Sequence, residues 1–197
     1  MSRQNDPLPF RPGHMVESGI RALEHGLPDL PEEVIPPMTI PLAYWKTDTF
    51  GSVIFLAYQS ESEGGFTPMT LHATYNRGSG GWVQRLPWYG SFAWYGPKGP
   101  PGSTDGLDGK AISKAFTAGH KGSESGEPAL VVGGWHSAEV ATISLVQDDE
   151  YTGQRATGHY GAWIIGSESD EPWKVEARDR RGRLVGVVSS SPWSRSS

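Results

Sequence analysis

Cysteine is absent from the 197-residue chain, and long apolar runs are absent as well. The first absence excludes disulfides, zinc–thiolate sites and a cysteine nucleophile. The N-terminus MSRQNDPLPFRPGH lacks the apolar stretch of roughly 7–15 residues that a signal peptide needs. No run approaches the ~18 apolar residues of a membrane span. We therefore expect a soluble, cytoplasmic protein with no membrane partner.

A large basic surplus is also missing, since the formal net charge is −5 and the pI is near 5.7. A nonspecific nucleic-acid partner is therefore not expected, because phosphate binding needs basic groups that displace counterions. The charge is uneven along the chain. Residues 1–36 carry three basic and six acidic groups, whereas residues 171–197 carry six basic and three acidic groups. The two ends can attract each other or different partners.

Familiar catalytic motifs are missing too: the chain has no G-x-S-x-G, H-E-x-x-H, P-loop or G-x-G-x-x-G pattern. The segment STDGLDGK, with Asp105 and Asp108, only partly matches a calcium loop, because Leu107 stands where an oxygen ligand belongs. Aspartate–glycine pairs of this kind are typical of turns. We predict no catalytic residue, no metal site and no cofactor from these motifs.

The N-terminal third combines proline with one helical pattern. Residues 1–13 contain three prolines and are expected to be flexible. In residues 14–41 a short amphipathic helix precedes a proline-rich strap. Its predicted apolar stripe consists of Val16, Ile20, Leu23 and Leu27, and Gly26 and Pro28 end the helix.

From Thr49 onward the patterns favour β-strands. TFGSVIFLAY is predicted to be a buried strand, MTLHATY a half-exposed one and GGWVQRL a third. A Gly/Pro-rich loop at 96–109 precedes seven further strands, KAISKAFTAG, PALVVGGW, AEVATISLVQ, YTGQRATG, YGAWIIG, WKVEARD and GRLVGVV. Short strands with frequent turns predict an all-β protein with an immunoglobulin-like β-sandwich over 42–188 and a flexible tail at 189–197.

Two polar turns are candidates for chemistry. RDRRGR predicts a hairpin turn that joins WKVEA to LVGVV, and Arg180 and Arg181 in it can hold an anion or an acidic partner. QDDEY predicts the tip of another hairpin. A metal or hydrolase site would require Asp148 or Asp149 to meet His136 and His159, and the sequence leaves that open.

The densest feature is the aromatic strip in LPWYGSFAWYG, defined by Trp88, Tyr89, Phe92, Trp94 and Tyr95. On a strand, the two tyrosines face opposite to the other three rings. One face then enters the core, and the other can form a contact surface together with the loop 96–109.

These features predict a non-catalytic binding or assembly protein that uses the aromatic strip and the adjacent Gly/Pro loop. Its partner is expected to be another protein or a second copy of the chain. A hydrolase-type enzyme with a His/Asp cleft is one alternative. The other is a carbohydrate-binding module, in which coplanar exposed rings stack on a sugar or another small molecule.

Overall fold

The protein consists mostly of antiparallel β-strands in two compact units, residues 1–95 and 96–197. The computed structural model describes residues 8–9, 12–30, 38–60, 66–85, 89–93, 107, 109–119, 130–148, 150–155, 158–167, 169 and 171–189. Within those ranges one α-helix and one short 3₁₀ turn accompany the strands. This confirms the predicted all-β class. The predicted sandwich limits of 42–188 stay a prediction.

The first unit contains a helix and a sheet with strand order β1-β2-β3-β4-β5, in which β6 also pairs with β4. The elements are β1 (Leu8–Pro9), α1 (Pro12–His25), β2 (Met38–Lys46), β3 (Phe50–Ser60), β4 (Phe66–Gly78), β5 (Gly81–Gln84) and β6 (Tyr89–Ala93). Strand β2 includes the last four residues of the expected strap. The sheet tolerates Pro41 there because its register shifts between Pro41 and Ala43, and such irregularities accept a residue without an N–H group.

Helix α1 packs on one face of this sheet, and its buried side coincides with the predicted stripe only in part. Leu23 of the stripe is buried together with Met15, in a cluster with Phe55 and Tyr75. Ile20 is half-buried and packs against this cluster, and Val16 and Leu27 are half-buried. Gly19 permits a close approach between the helix and the sheet: a Cβ there would lie 1.9 Å from the Tyr75 hydroxyl oxygen. The helix therefore docks within the chain.

Strand β4 is buried on both faces, so the prediction that MTLHATY is half-exposed is wrong. The face that carries Thr70, His72 and Thr74 is buried as fully as the face that carries Ala73 and Tyr75. Alternation of polar and apolar residues predicts exposure only where water reaches the polar side. Of the three polar side chains, His72 bonds to Ser52, whereas the hydroxyl oxygens of Thr70 and Thr74 are buried without a hydrogen-bond partner among the described residues.

The second unit contains two antiparallel sheets, with strand orders β10-β9-β12-β13 and β11-β8-β7. Its elements are β7 (Ile112–Gly119), β8 (Leu130–His136), β9 (Val140–Gln147), β10 (Glu150–Arg155), a 3₁₀ turn (His159–Gly161), β11 (Ala162–Ser167), β12 (Lys174–Asp179) and β13 (Leu184–Ser189). All seven strands predicted after the Gly/Pro-rich loop are confirmed.

Strand β8 forms the centre of the three-stranded sheet and is buried along its whole length. Its neighbour β7 carries a bulge between Lys114 and Phe116. The bulge brings the Ser113 carbonyl so close that a Cβ on Gly134 would lie 2.0 Å from its oxygen. The Trp163 indole donates a 3.2 Å hydrogen bond to the same carbonyl. Glycine is thus required at the point where the two backbones meet.

Candidate binding surface

The β12–β13 hairpin turn spans residues 180–182 and is closed by Asp179 and Arg183. The N–H of Asp179 donates to the carbonyl of Arg183 at 3.0 Å, and the N–H of Gly182 donates to the carbonyl of Asp179 at 2.9 Å. Gly182 has φ +76°, the left-handed conformation that closes a hairpin loop of this length. The predicted turn, with glycine at the positive-φ position, is confirmed.

The carboxylate of Asp179 organises this turn. It accepts hydrogen bonds from the backbone N–H groups of Arg181 at 2.8 Å and Arg183 at 3.0 Å, and from Nε of Arg183 at 2.8 Å. Desolvation disfavours the charged carboxylate, but the hydrogen bonds from Arg183 and Arg181 outweigh it and lower the pKa of Asp179. The turn is therefore held by an ionised side chain.

The four arginines of the turn have different surroundings. Arg178 donates to the Gly182 carbonyl at 3.0 Å, and Arg183 pairs with Asp179. The side chains of Arg180 and Arg181 are exposed and have no hydrogen-bond or ion-pair partner among the residues that the structure describes. These two guanidinium groups are available to a ligand, as the sequence predicted they could be.

The four-stranded sheet presents an outer face, which we define by the strand register. Its members are Thr142, Ser144 and Val146 of β9, Tyr151 of β10, Lys174, Glu176 and Arg178 of β12, and Leu184 and Val187 of β13. The opposite face holds Ile143, Leu145, Val175 and Ala177, which are all buried. Core packing therefore uses this opposite face of the sheet. The outer face is open to solvent only in part, because Val146 and Glu176 on it are buried and Thr142 and Ser144 are half-buried.

Three large apolar side chains lie exposed on this outer face. Tyr151 is 60% exposed, Leu184 50% and Val187 48%. In the described part of the chain only one other large apolar side chain is as exposed, Val83 of the first unit at 64%. Leu184 and Val187 are close together on β13, and Tyr151 lies on the same face three strands away, on β10. Isolated exposed apolar residues are common, whereas neighbouring ones are typical of a contact surface.

Cations lie beside these apolar groups. The carboxylate of Glu176 is buried between Nζ of Lys174 at 2.9 Å and Nη2 of Arg178 at 2.8 Å. The hydrogen bonds from Lys174 and then Arg178 outweigh desolvation and lower the pKa of Glu176. One carboxylate thus faces two cations, and the whole hairpin 174–189 carries five basic and two acidic groups. The hairpin is a basic region in an acidic chain.

Strand β13 lies at the edge of this sheet. Of the strands that the structure describes, it pairs only with β12. Its inward side contacts β7, where a Cβ on Gly186 would lie 2.8 Å from Cγ2 of Ile112. Every second residue of an edge strand directs its backbone N–H and C=O away from its neighbour. These groups can accept another strand.

The predicted aromatic strip lies largely outside the described residues. This holds for Trp88, Trp94 and Tyr95 and for the side chains of Tyr89 and Phe92. The backbone of β6 is described and pairs with β4, with a register shift between Leu71 and His72 of β4. Most of the loop 96–109 also lies outside the described residues. Its role stays a prediction.

The structure gives little support to the predicted cluster of His136, His159 and Asp148 or Asp149. The 3₁₀ turn with His159 packs on β8, since a Cβ on Gly161 would lie 2.3 Å from the His136 carbonyl oxygen. Asp148 is exposed at the β9–β10 turn, and Asp149 lies outside the described residues. No group of three His, Asp or Glu among the described residues could hold a metal ion.

His136 is a buried histidine held by its own strand end. Its Nδ1 lies 2.8 Å from the carbonyl oxygen of Ser137, which accepts this hydrogen bond, and the side chain is 6% exposed. Burial lowers the pKa of His136, and the bond to the Ser137 carbonyl opposes that shift only in part. At neutral pH the ring is therefore uncharged.

A serine–histidine pair that the sequence did not reveal joins β3 and β4. Oγ of Ser52 lies 2.6 Å from Nε2 of His72. Such a bond activates serine nucleophiles in many enzymes. Here both residues are almost inaccessible to solvent, at 0% and 1% exposure, so a substrate cannot reach the hydroxyl. We interpret the pair as a satisfied polar contact of the core.

Sequence reasoning also missed the outer face. A signal for it exists in KVEARD, where charged residues alternate, and in RLVGVV, where aliphatic residues continue to the strand end. The exposed members, including Tyr151 and Lys174, become one surface only through the pairing of four strands.

Comparisons with known proteins identify no relative. None of the family models, curated proteins or solved structures compared with this chain matches it. Among the described residues, no helix has the length and apolar character needed to cross a membrane.

Proposed function

We propose that this protein is a non-catalytic binding protein whose main contact surface is the outer face of the four-stranded sheet together with the turn 180–182. The observation that carries the proposal is the position of Tyr151, Leu184 and Val187. They are exposed on the same face that carries Lys174 and Arg178. Apolar, aromatic and arginine side chains in one patch are the usual composition of a protein-binding surface.

The energetics favour a macromolecular partner. Burying a large apolar side chain completely is worth about 1.5–3 kcal/mol, so covering three that are half-exposed contributes roughly 3 kcal/mol in total. Glu176 holds the side chains of Lys174 and Arg178 in place on this surface through hydrogen bonds of 2.9 and 2.8 Å. A preorganised surface loses less entropy when a partner binds.

The aromatic strip 88–95 and the loop 96–109 are proposed as a second contact surface. An immunoglobulin-like sandwich is the proposed architecture, and two antiparallel sheets with short polar turns in the second unit support it. Binding proteins often present such sheet faces and the loops that connect them. A cytoplasmic setting completes this proposal.

Co-purification with a matched control tests the proposal. Leu184→Asp/Val187→Asp alters the outer face, and Val83→Asp alters an equally exposed aliphatic residue of the other unit. Tagged wild type and both variants are incubated with extract of the source cells, and bound proteins are quantified by mass spectrometry. Thermal unfolding of each variant verifies that it is folded.

We expect a defined set of proteins to bind wild type and Val83→Asp, and to fall at least tenfold with the double variant. Light scattering of the purified chain identifies self-association, which the double variant should abolish if the partner is a second copy. Equal recovery by all three proteins, with the same oligomeric state, would contradict the proposed surface.

A further inference from the structure

We propose that the occupant of this surface is an extended acidic polypeptide segment, which adds as a strand to the free edge of β13. Its acidic residues lie beside Arg180 and Arg181. The inference rests on the proposed function and specifies the partner's conformation and chemistry.

The conformation follows from the edge. Strand β13 pairs only with β12 among the described strands, so an extended chain can bond to its outward N–H and C=O groups. Alternate side chains of an added strand would project over the outer face, next to Leu184 and Val187. Both are half-exposed and offer apolar contacts to every second residue of the ligand.

The charge of the ligand follows from the two ends of the sheet. Arg180 and Arg181 are exposed at the β12–β13 turn, and Asp148 and Glu150 are exposed at the β9–β10 turn. These turns lie at opposite ends, because Lys174 aligns with Val146 and Asp179 with Val140. Strands of this length place them roughly 20 Å apart.

At physiological salt, charges interact over about 8 Å. The arginines therefore attract acidic residues at the end of the ligand that lies next to Leu184. The carboxylates of Asp148 and Glu150 belong to strands beyond β12, farther than this from the free edge of β13, so they do not act on the ligand. The best ligand therefore alternates apolar residues and carries its acidic residues at one end.

Two other occupants fit the surface less well. A second copy that packs by the same face would bring together two faces that each carry Lys174 and Arg178 against the single carboxylate of Glu176, and like net charges oppose such a symmetric contact. A nucleic acid would satisfy the arginines but would leave Leu184, Val187 and Tyr151 without apolar partners.

The test is selection from a random twelve-residue peptide library against the immobilised full-length chain, followed by fluorescence polarisation with the enriched peptides. The variants are Arg180→Glu/Arg181→Glu, Leu184→Asp/Val187→Asp and the control Val83→Asp. Peptides N-methylated at alternate positions probe backbone pairing, and hydrogen exchange locates the strand that becomes protected. An oligothymidylate of twelve nucleotides serves as the nucleic-acid probe.

We expect enriched peptides with alternating apolar residues and an acidic end. Arg180→Glu/Arg181→Glu should lower the affinity of these peptides for the chain roughly 5- to 50-fold, because two surface ion pairs are lost and repulsion is added. Val83→Asp should leave binding unchanged, N-methylation should abolish it, and the amides of β13 should be protected.

The acidic-strand inference would be overturned if no peptide is enriched, or if the enriched peptides are basic. It would also be overturned if their binding does not respond to Arg180→Glu/Arg181→Glu, or if oligothymidylate alone binds in a way that depends on these arginines. The proposed function fails separately, since it depends on co-purified proteins or self-association that respond to Leu184→Asp/Val187→Asp. If that response persists without acidic peptides, the surface binds a different partner.

Discussion

The guanidinium of Arg183 binds the carboxylate of Asp179 at the end of the β12–β13 hairpin. Its Nε and Nη2 lie 2.8 and 2.7 Å from Oδ2 of Asp179. Because the same carboxylate also binds two backbone N–H groups, this arginine has a structural role. The side chains of Arg180 and Arg181, which lie between these two residues in the sequence, make no such contact with any residue that the structure describes. The basic turn thus contains one arginine that stabilises its conformation and two whose side chains can bind a ligand.

Substitutions in this turn should therefore affect stability unequally. Asp179→Ala removes every hydrogen bond that its carboxylate accepts and should lower the melting temperature, whereas Asp179→Asn should lower it less. Arg180→Gln and Arg181→Gln should change the free energy of unfolding by no more than about 0.5 kcal/mol, as is usual for exposed sites. Differential scanning calorimetry at pH 7 measures all four. Equal effects of Asp179→Ala and Arg180→Gln would contradict the assigned roles.

Glu176 should give the fold a pH-dependent stability. Its pKa is lowered in the folded state by the hydrogen bonds from Lys174 and Arg178. The unfolded chain then takes up a proton more readily as the pH falls, so the stabilisation is complete above about pH 4.5 and decreases below it. Glu176→Gln should be less stable than wild type at pH 7, and the difference should shrink toward pH 3. Urea unfolding across this range measures it.

A double-mutant cycle that combines Glu176→Gln with Lys174→Met measures the interaction free energy between Lys174 and Glu176 at pH 7. Because the lysine is half-exposed, we expect a coupling of about 0.3–1 kcal/mol. A coupling that persists unchanged at pH 3 would show that the carboxylate charge is not its source.

His136 should contribute a second pH dependence at higher pH. Burial lowers its folded-state pKa, so the unfolded chain binds the proton first as the pH falls below about 6.5. Stability should accordingly be complete above that pH and decline as the pH falls below it. His136→Gln keeps a polar side chain but does not titrate, so its melting temperature should fall less as the pH is lowered from about 6.5. Parallel slopes for the two proteins would rule out His136 as the source.

Gly19→Ala sets two effects against each other. Alanine in the helix gains about 1 kcal/mol in propensity, but its Cβ would lie 1.9 Å from the hydroxyl oxygen of the buried Tyr75. Overpacking costs about 1–3 kcal/mol, so we expect a net loss of up to roughly 2 kcal/mol. Gly80→Ala, where nothing lies within 4 Å, is the matched control. Chemical denaturation measures the free energy of unfolding of both variants. A Gly19→Ala variant that is more stable than wild type would show that the helix can shift to make room for the added Cβ.

Much of the secondary structure could be predicted from local patterns. The branched and aromatic run that becomes β3, the polar turns of the second unit and Gly182 at its positive-φ position all follow from short-range preferences of the backbone. Helix α1 was predicted as well, but only part of its buried side was. The close packing of Gly19 on Tyr75 could not be predicted, since these residues are 56 positions apart in the sequence.

The candidate surface shows the same division. The position of Arg180 and Arg181 in a hairpin turn follows from local sequence, because the turn depends on adjacent residues. The shared exposed face of Tyr151, Lys174, Leu184 and Val187, like the burial of the polar side of β4, arises only when the sheets form. Strand register and solvent access depend on contacts between distant segments, and no local pattern encodes them.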